Sequence, residues 1–223
     1  MSPCAISIAS MDTAIMNPDQ TLPADLSNVH KSLGIDAGYA GRCGMPYVPE
    51  CSRLLSAGPD AFGRDALVDG KALAAWQRMQ QVAERDGVVL QLVSAFRSVE
   101  YQKKLIARKL ASGQQIDAIL CVNAAPGFSE HHSGCALDLG SPDYPCLEES
   151  FENSPAFAWL KANAADYGFS MSFPRGNPYG VQYEPWHWCY RKKKTVELIV
   201  EAKERASEGG KKKEQDADVR MLM

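Results

Sequence analysis

Apolar positions along the chain fall into a few short periodic runs separated by turn-forming residues. From Lys71 onward, Leu73, Trp76, Met79 and Val82 or Ala83 recur at helical spacing, and Gly87 stops the run. Val88–Val93 follows as a largely apolar stretch of strand length. Ser98 is placed to cap a second helix, with Glu100 in its first turn, apolar Tyr101, Leu105 and Leu110, and Gly113 after them. A third helix carries the clearest signature. Ser154 stands at the cap, Pro155 at the first helical position, Phe157, Leu160, Ala164 and Tyr167 on one face, and Gly168 at the stop. Ala136–Leu139, Phe169–Phe173 and Val181–Tyr190 read as strands, the last two joined by a Pro/Gly loop at 174–180.

The remaining stretches read as irregular. Residues 1–36 form a polar, loop-like leader, and 37–70, rich in Gly and Pro, read as an arm lying against a domain. After Arg191 come Lys192–Lys194, a helical stretch from Thr195 to Ala206 and Lys211–Lys213, so 192–223 is expected to be a charged helix and solvated tail. Helices precede and separate short strands without regular βαβ alternation. The expected fold is therefore α+β, with a small antiparallel sheet flanked by helices in a domain at 37–191.

Composition narrows the function classes. Hydrophobic residues make up 45% and charged residues 23% of the 223, which is globular rather than disordered or coiled-coil. The net charge of −3 argues against nucleic acid as a main partner. No apolar run approaches the roughly 18 residues of a transmembrane helix. Met1–Met16 has no Lys or Arg and is broken by Ser7, Ser10, Asp12 and Thr13, so it does not match a secretory signal. Seven cysteines is an odd number, so at least one is free or bridges chains. Cys43 and Cys51 are close enough in sequence to pair in an oxidising compartment.

The chemistry concentrates in two clusters that hold three of the four histidines. The first runs Ser129-Glu130-His131-His132-Ser133-Gly134-Cys135-Ala136-Leu137-Asp138, and the second is Glu184-Pro185-Trp186-His187. Zinc in a catalytic site takes three protein ligands and leaves a position for water. His131, Asp138 and His187 would supply that set. Gly134 allows a tight turn between His131 and the strand bearing Asp138. A charged Asp on an apolar strand needs a partner, and a metal is one. Glu184 and His187 would face opposite sides of a plain strand, so Pro185 is expected to bend the chain and bring both to one site. A carboxylate beside a metal-activated water is what a hydrolase uses as general base. His132, Cys135 and Cys189 stand close by as competing ligands. His132 is read as a supporting or exposed residue and the cysteines as small buried ones.

Ser-x-His-x-x-Gly-x-Ala-x-Asp at 129–138, followed by Glu-x-Trp-His at 184–187, resembles the VanY-type D-alanyl-D-alanine carboxypeptidases. These belong to the wider group of lysostaphin-like, D-Ala-D-Ala and hedgehog-type zinc folds. Ser94-Ala95-Phe96-Arg97-Ser98 with Gln102 is similar to the family's upstream element. The likeness spans roughly Gly41–Arg191, including Phe157-Ala158-Trp159-Leu160, Tyr167-Gly168-Phe169 and Phe173-Pro174. The resemblance implies one Zn2+ per chain on His131, Asp138 and His187, with Glu184 as catalytic base. It implies Arg97 polarising the scissile carbonyl and holding substrate, and Gln102 and Ser129 binding the substrate's terminal carboxylate. The implied substrate is a peptidoglycan stem peptide or a related D-Ala-terminated peptide, which implies the cell envelope or periplasm, with cytoplasmic precursors or recycled peptides as the alternative that the unmatched signal pattern leaves open. The alternatives are a peptidoglycan endopeptidase or an L,D- or dipeptidase relative with the same core, and a non-catalytic hedgehog-like zinc module.

Overall fold

A computed structural model describes residues 22–191. The helices are α1 (Ala24–Ser32), α2 (Tyr39–Arg42), α3 (Gly70–Arg85), α4 (Val99–Ala111), α5 (Ile116–Leu120) and α6 (Pro155–Asn163). The strands are β1 (Leu54–Pro59), β2 (Asp65–Asp69), β3 (Gln91–Ser94), β4 (Ala136–Gly140), β5 (Phe169–Met171) and β6 (His187–Tyr190). β1 and β2 form an antiparallel hairpin. The other four strands form an antiparallel sheet in the order β3-β4-β6-β5. This is the expected α+β arrangement of a small sheet flanked by helices.

Strand periodicity sorts the central sheet into a core face and a site face. Leu137 and Leu139 of β4 and Trp188 of β6 enter a hydrophobic core with Leu92, Phe169, Trp76 and Met79 of α3, and Leu160 of α6. Asp138 and His187, opposite each other across the β4–β6 pair, occupy the alternate positions. A second core gathers Leu33, Ile35 and Tyr39 against Ile106 of α4, Ile119 of α5, Phe128 and Phe173.

The capping signals behave as expected. Ser98 Oγ accepts the Tyr101 N–H at 3.0 Å, and Ser154 Oγ accepts the Phe157 N–H at 3.0 Å, with Pro155 opening α6. Gly87 ends α3 with a positive φ of 77°, and the Val88 N–H bonds back to the Ala83 carbonyl. Because Val88 is spent on closing the helix, β3 begins only at Gln91 and not at Val88.

Several expectations need correcting. Residues 24–32, read as part of an irregular leader, form α1. Its few apolar residues, Leu26, Val29 and Leu33, fall three or four apart, which suffices for one buried face although the segment is polar overall. His30 on this helix is buried and hydrogen-bonds the Pro126 carbonyl at 2.7 Å. The arm at 37–70 contains the β1–β2 hairpin. Its alternation shows on one strand only, where Ala66 and Val68 are buried, while Gly58 and Pro59 interrupt the other. The strands expected at 169–173 and 181–190 shrink to Phe169–Met171 and His187–Tyr190. Residues 181–186 instead make isolated backbone bonds, Gln182 N–H to Cys121 and Glu184 N–H to Phe173. Cys43 and Cys51 do not pair with each other; both are free thiols. The helical stretch at 195–206 and the charged tail lie outside the described residues, as do residues 1–21.

One glycine sets how the hairpin meets the site-bearing strand. Gly134 has φ +67°, and a Cβ there would lie 2.8 Å from Leu54 Cδ2 and 2.9 Å from the Asp69 amide nitrogen. Gly134→Ala is expected to lower stability by about 1–3 kcal/mol through the left-handed backbone and the clash. Urea unfolding measures this, and an unchanged midpoint would contradict the close approach.

Candidate metal centre and active site

The turn at 130–133 is a 3-10 helix that ends at Gly134, and it delivers His131 to the face of the sheet bearing Asp138 and His187. The three side chains are at most 3% exposed. They offer one ligand atom each, all within 4.8 Å of one another. The His131 and His187 rings stand nearly perpendicular with centroids 4.9 Å apart. Two neutral-capable imidazoles and a carboxylate, buried and convergent, are a donor set that suits a zinc ion.

Each donor is oriented by a partner behind it. His131 Nδ1 donates to the Ala95 carbonyl at 2.6 Å, which leaves Nε2 facing the cluster as an acceptor. His187 is held at both nitrogens: Nδ1 lies 3.2 Å from Asp138 Oδ1, and Nε2 lies 3.0 Å from Glu130 Oε2. Glu130 also accepts from Ser172 Oγ at 2.5 Å, so the carboxylate behind His187 is itself fixed. The sequence reading missed this carboxylate. Spacing along the chain gives no sign of it, because only the turn geometry sends Glu130 to a histidine 57 residues away.

Arg97 reaches the same donors. Its Nη2 donates to Asp138 Oδ2 at 2.6 Å and to His131 Nε2 at 2.7 Å. Burial pushes the His131 imidazolium down to about 4, with Arg97 adding repulsion. Burial would raise the Asp138 carboxyl, but His131 and Arg97 together hold it well below the usual carboxylate range. Since His131 is neutral near pH 7, the full positive charges beside Asp138 are those of Arg97 and of His187, which hydrogen-bonds it. Burial would likewise lower His187, yet hydrogen bonds to Asp138 and Glu130 raise it to about 10.

Pro185 does bend the chain, but through a turn and not a bulge. The His187 N–H returns to the Glu184 carbonyl at 3.2 Å across Pro185 and Trp186, and β6 starts only at His187. Glu184 thereby comes within 3.7 Å of His187 Nδ1. Its carboxyl is pushed up to about 7, chiefly by burial.

A cavity of about 400 Å³ unites the residues predicted from sequence: Arg97, Gln102, Ser129, His131, Asp138, Glu184 and His187 all line it. The competing ligands do not. His132 is fully buried, donates from Nδ1 to the Arg97 carbonyl at 2.6 Å, and accepts at Nε2 from the Gly127 N–H at 3.0 Å. It therefore braces the Arg97 backbone and is not exposed. Cys135 and Cys189 lie outside the cavity lining. Gln102 donates from Nε2 to the Ala124 carbonyl at 2.8 Å, and its Oε1 is buried without a partner.

A helix-flanked antiparallel sheet carrying a buried His-Asp-His cluster beside a glutamate defines a metallopeptidase-like site. Residues 65–193, more than half of the chain, match the family described as "VanY: D-alanyl-D-alanine carboxypeptidase". The chain belongs to this family. A Bacillus subtilis (strain 168) protein named as a carboxypeptidase, YodJ, is 33% identical over 132 residues, covering 58% of this chain and 48% of its own length. The D-alanyl-D-alanine carboxypeptidase of Enterococcus faecium is 41% identical over 66 residues, covering 29% of this chain and 20% of its own. The chain thus spans half or less of these two relatives. Among solved structures, the LD-carboxypeptidase LdcB matches with a TM-score of 0.61 at 28% identity, over 71% of this chain and 77% of its own.

The histidine and Glu184 shifts together predict how stability depends on pH for the protein kept metal-free with a chelator. Below about pH 6.5, the ordinary imidazole value, folding is weakened because His131 resists the proton that the unfolded chain accepts. Above it, folding is weakened as pH rises towards about 10, because the proton held by His187 is lost. Glu184, raised to about 7, opposes the His131 effect between about pH 4.5 and 7, so urea midpoints are expected to be similar at pH 5 and 6.5 and clearly lower at pH 9. A steady rise across the range would refute the His187 assignment.

Proposed function

We propose that this chain is a zinc-dependent carboxypeptidase that releases a terminal D-Ala from peptidoglycan stem peptides. The observation that carries the reading is the convergence of His131, Asp138 and His187 on one cavity that also holds Glu184 and Arg97. Membership of the VanY family supports the same reaction. His131 Nε2, a carboxylate oxygen of Asp138 and His187 Nδ1 would hold the metal. When bound, zinc supplies a Lewis acid that lowers the pKa of a coordinated water to about 7.

The protein's own groups do the rest. Glu184 is the general base. A carboxyl pushed up to about 7 by burial takes a proton from the attacking water and returns it to the leaving amine near neutral pH. Arg97 bonds the His131 and Asp138 atoms that would hold the metal, and with the metal bound its donor fork would be left to stabilise the oxyanion of the cleaved carbonyl. His132 holds the Arg97 backbone in place. Ser129 and the second N–H of Gln102 are donors for the substrate's terminal carboxylate. Glu130 fixes the His187 ring and raises its basicity.

A second reading keeps the site and changes the bond. The likeness to a protein described as an LD-carboxypeptidase supports cleavage of an L,D bond as the alternative to cleavage between two D-alanines, which family membership supports. Assaying D-Ala release from a stem pentapeptide and a tetrapeptide, together with zinc content, separates the two. A protein that binds zinc yet cleaves neither would be the non-catalytic module.

Glu184→Gln is expected to retain stoichiometric zinc and lose about 10²–10⁴-fold in turnover. Turnover at the unmodified rate would remove Glu184 from the mechanism. His187→Ala is expected to lose zinc, as read by elemental analysis after dialysis. Glu130→Ala is expected to keep the fold and weaken zinc about 10–100-fold in chelator competition. Unchanged affinity would reduce Glu130 to a bystander.

A further inference from the structure

Glu184 stands on an irregular stretch of chain. β6 begins only at His187, so Glu184 belongs to the connection that leaves Phe173 and runs through 174–186. The first part of this connection is closed on itself by Asn177, whose Nδ2 donates to the Pro174 carbonyl at 3.1 Å and to the Val181 carbonyl at 2.7 Å. Further on, the Gln182 N–H bonds the Cys121 carbonyl and the Glu184 N–H bonds the Phe173 carbonyl, both at 3.1 Å. A side chain on a loop is held less precisely than one on a helix or strand unless other contacts lock the segment.

Tyr183, the residue before Glu184, makes such contacts. Its hydroxyl donates to Glu152 Oε2 at 3.0 Å. The other oxygen of that carboxylate accepts from Arg175 Nη2 at 2.9 Å, and the Arg175 guanidinium lies over the Tyr183 ring, 4.0 Å from its centroid. The three side chains close a triangle in which each touches the other two. Its base is firm. Glu152 lies in the 3-10 turn Glu149–Asn153, whose Phe151 is fully buried in the main core and packs edge-on against Phe157. Arg175 also reaches Glu149 at 3.2 Å, but both side chains of that pair are well exposed, so it adds little. The triangle differs from a lone surface pair because both carboxylate oxygens are used and the guanidinium lies flat on a ring. Burial and the Glu152 carboxylate push the Tyr183 phenol up to about 12, so it remains a donor at neutral pH. Glu149, Tyr183 and Glu184 all line the cavity, so the triangle joins two segments of its wall.

We propose that Tyr183, Glu152 and Arg175 are positioning residues that lock the segment bearing Glu184 against the 3-10 turn and so fix where the Glu184 carboxylate meets its proton. The assignment rests on the general-base reaction proposed above and adds no chemical step to it. Support passes from the main core through Phe151 to Glu152, from Glu152 to Tyr183, and along one peptide bond to Glu184. It accounts for a phenol on the cavity wall whose hydroxyl is committed to a carboxylate of the neighbouring turn. A reacting group displaced by a fraction of an ångström loses rate steeply while contacts to bound substrate survive, so the triangle acts on kcat and leaves KM in place.

The test uses the full-length, zinc-loaded protein and three variants: Tyr183→Phe, which keeps the ring and drops only the hydroxyl, Glu152→Ala, and the two combined. In D-Ala release from the stem peptide that the unmutated protein cleaves, each single variant is expected to lower kcat about tenfold and to leave KM within about twofold. Zinc content and melting temperature are expected to stay unchanged. The double variant is expected to lose no more than Glu152→Ala alone, because both substitutions remove the same bond. Amide hydrogen exchange over residues 177–186, followed by mass spectrometry, is expected to quicken in both single variants. The proposal is overturned if kcat is unchanged, if the loss falls on KM alone, which makes Tyr183 a substrate contact, or if the two losses multiply. It is also overturned if activity falls only in step with melting temperature or zinc content, which marks a structural role. The exchange measurement separates this proposal from the reaction it rests on. If the unmutated protein releases D-Ala from neither pentapeptide nor tetrapeptide, the reaction assignment falls, and quickened exchange in both variants upholds the lock while unchanged exchange overturns it. If D-Ala is released and the variants match the unmutated protein in kcat and exchange, the reaction stands and the positioning role falls.

Discussion

A single carboxylate organises this molecule. Asp138 sits in the middle of β4, whose five residues are all buried, and is itself 1% exposed. Left unpaired, an ionised carboxylate at that depth would cost several kcal/mol or would take up a proton. It stays charged because three other parts of the chain send side chains to it: His131 from the 3-10 turn, Arg97 from the connection between β3 and α4, and His187 from the facing strand. The sheet register, the Gly134 turn and the bend at Pro185 are the geometric conditions for that meeting.

The order of support runs outward from there. His131 and His187 orient towards Asp138 because Ala95 and Glu130 occupy their other nitrogens, and Glu130 is steadied by Ser172. His132 performs the same office for the Arg97 backbone. Buried polar networks of this kind are stable only when every member is satisfied. Their members are accordingly drawn from β3, β4, β6 and the turns between, which the two hydrophobic cores hold rigid from either side.

Electrostatics then divides the cavity by function. Opposite environments push the two histidines apart, one kept neutral by burial and a neighbouring guanidinium, the other kept protonated by two carboxylates. Glu184, raised by burial, sits poised to exchange a proton. Pairs of titratable groups driven in opposite directions within one cleft are the pattern that proton transfer uses, in keeping with the general-base role proposed for Glu184.

Sequence alone determined the local and the chemical parts of this picture. The caps at Ser98 and Ser154, the stops at Gly87 and Gly168, and the residue set His131, Asp138, Glu184 and His187 are legible because each depends on residue type and on spacing within a few positions. Tertiary structure decided what depends on contacts between distant segments. Polar α1 is a helix because Val29 and Leu33 find a core that Ile106 of α4 and Ile119 of α5 help to build. Glu130 serves His187 because a 3-10 turn aims it across the sheet. Spacing along a chain reports which side chains share a face; which distant side chains share a cavity is set by packing, and packing is a property of the whole fold.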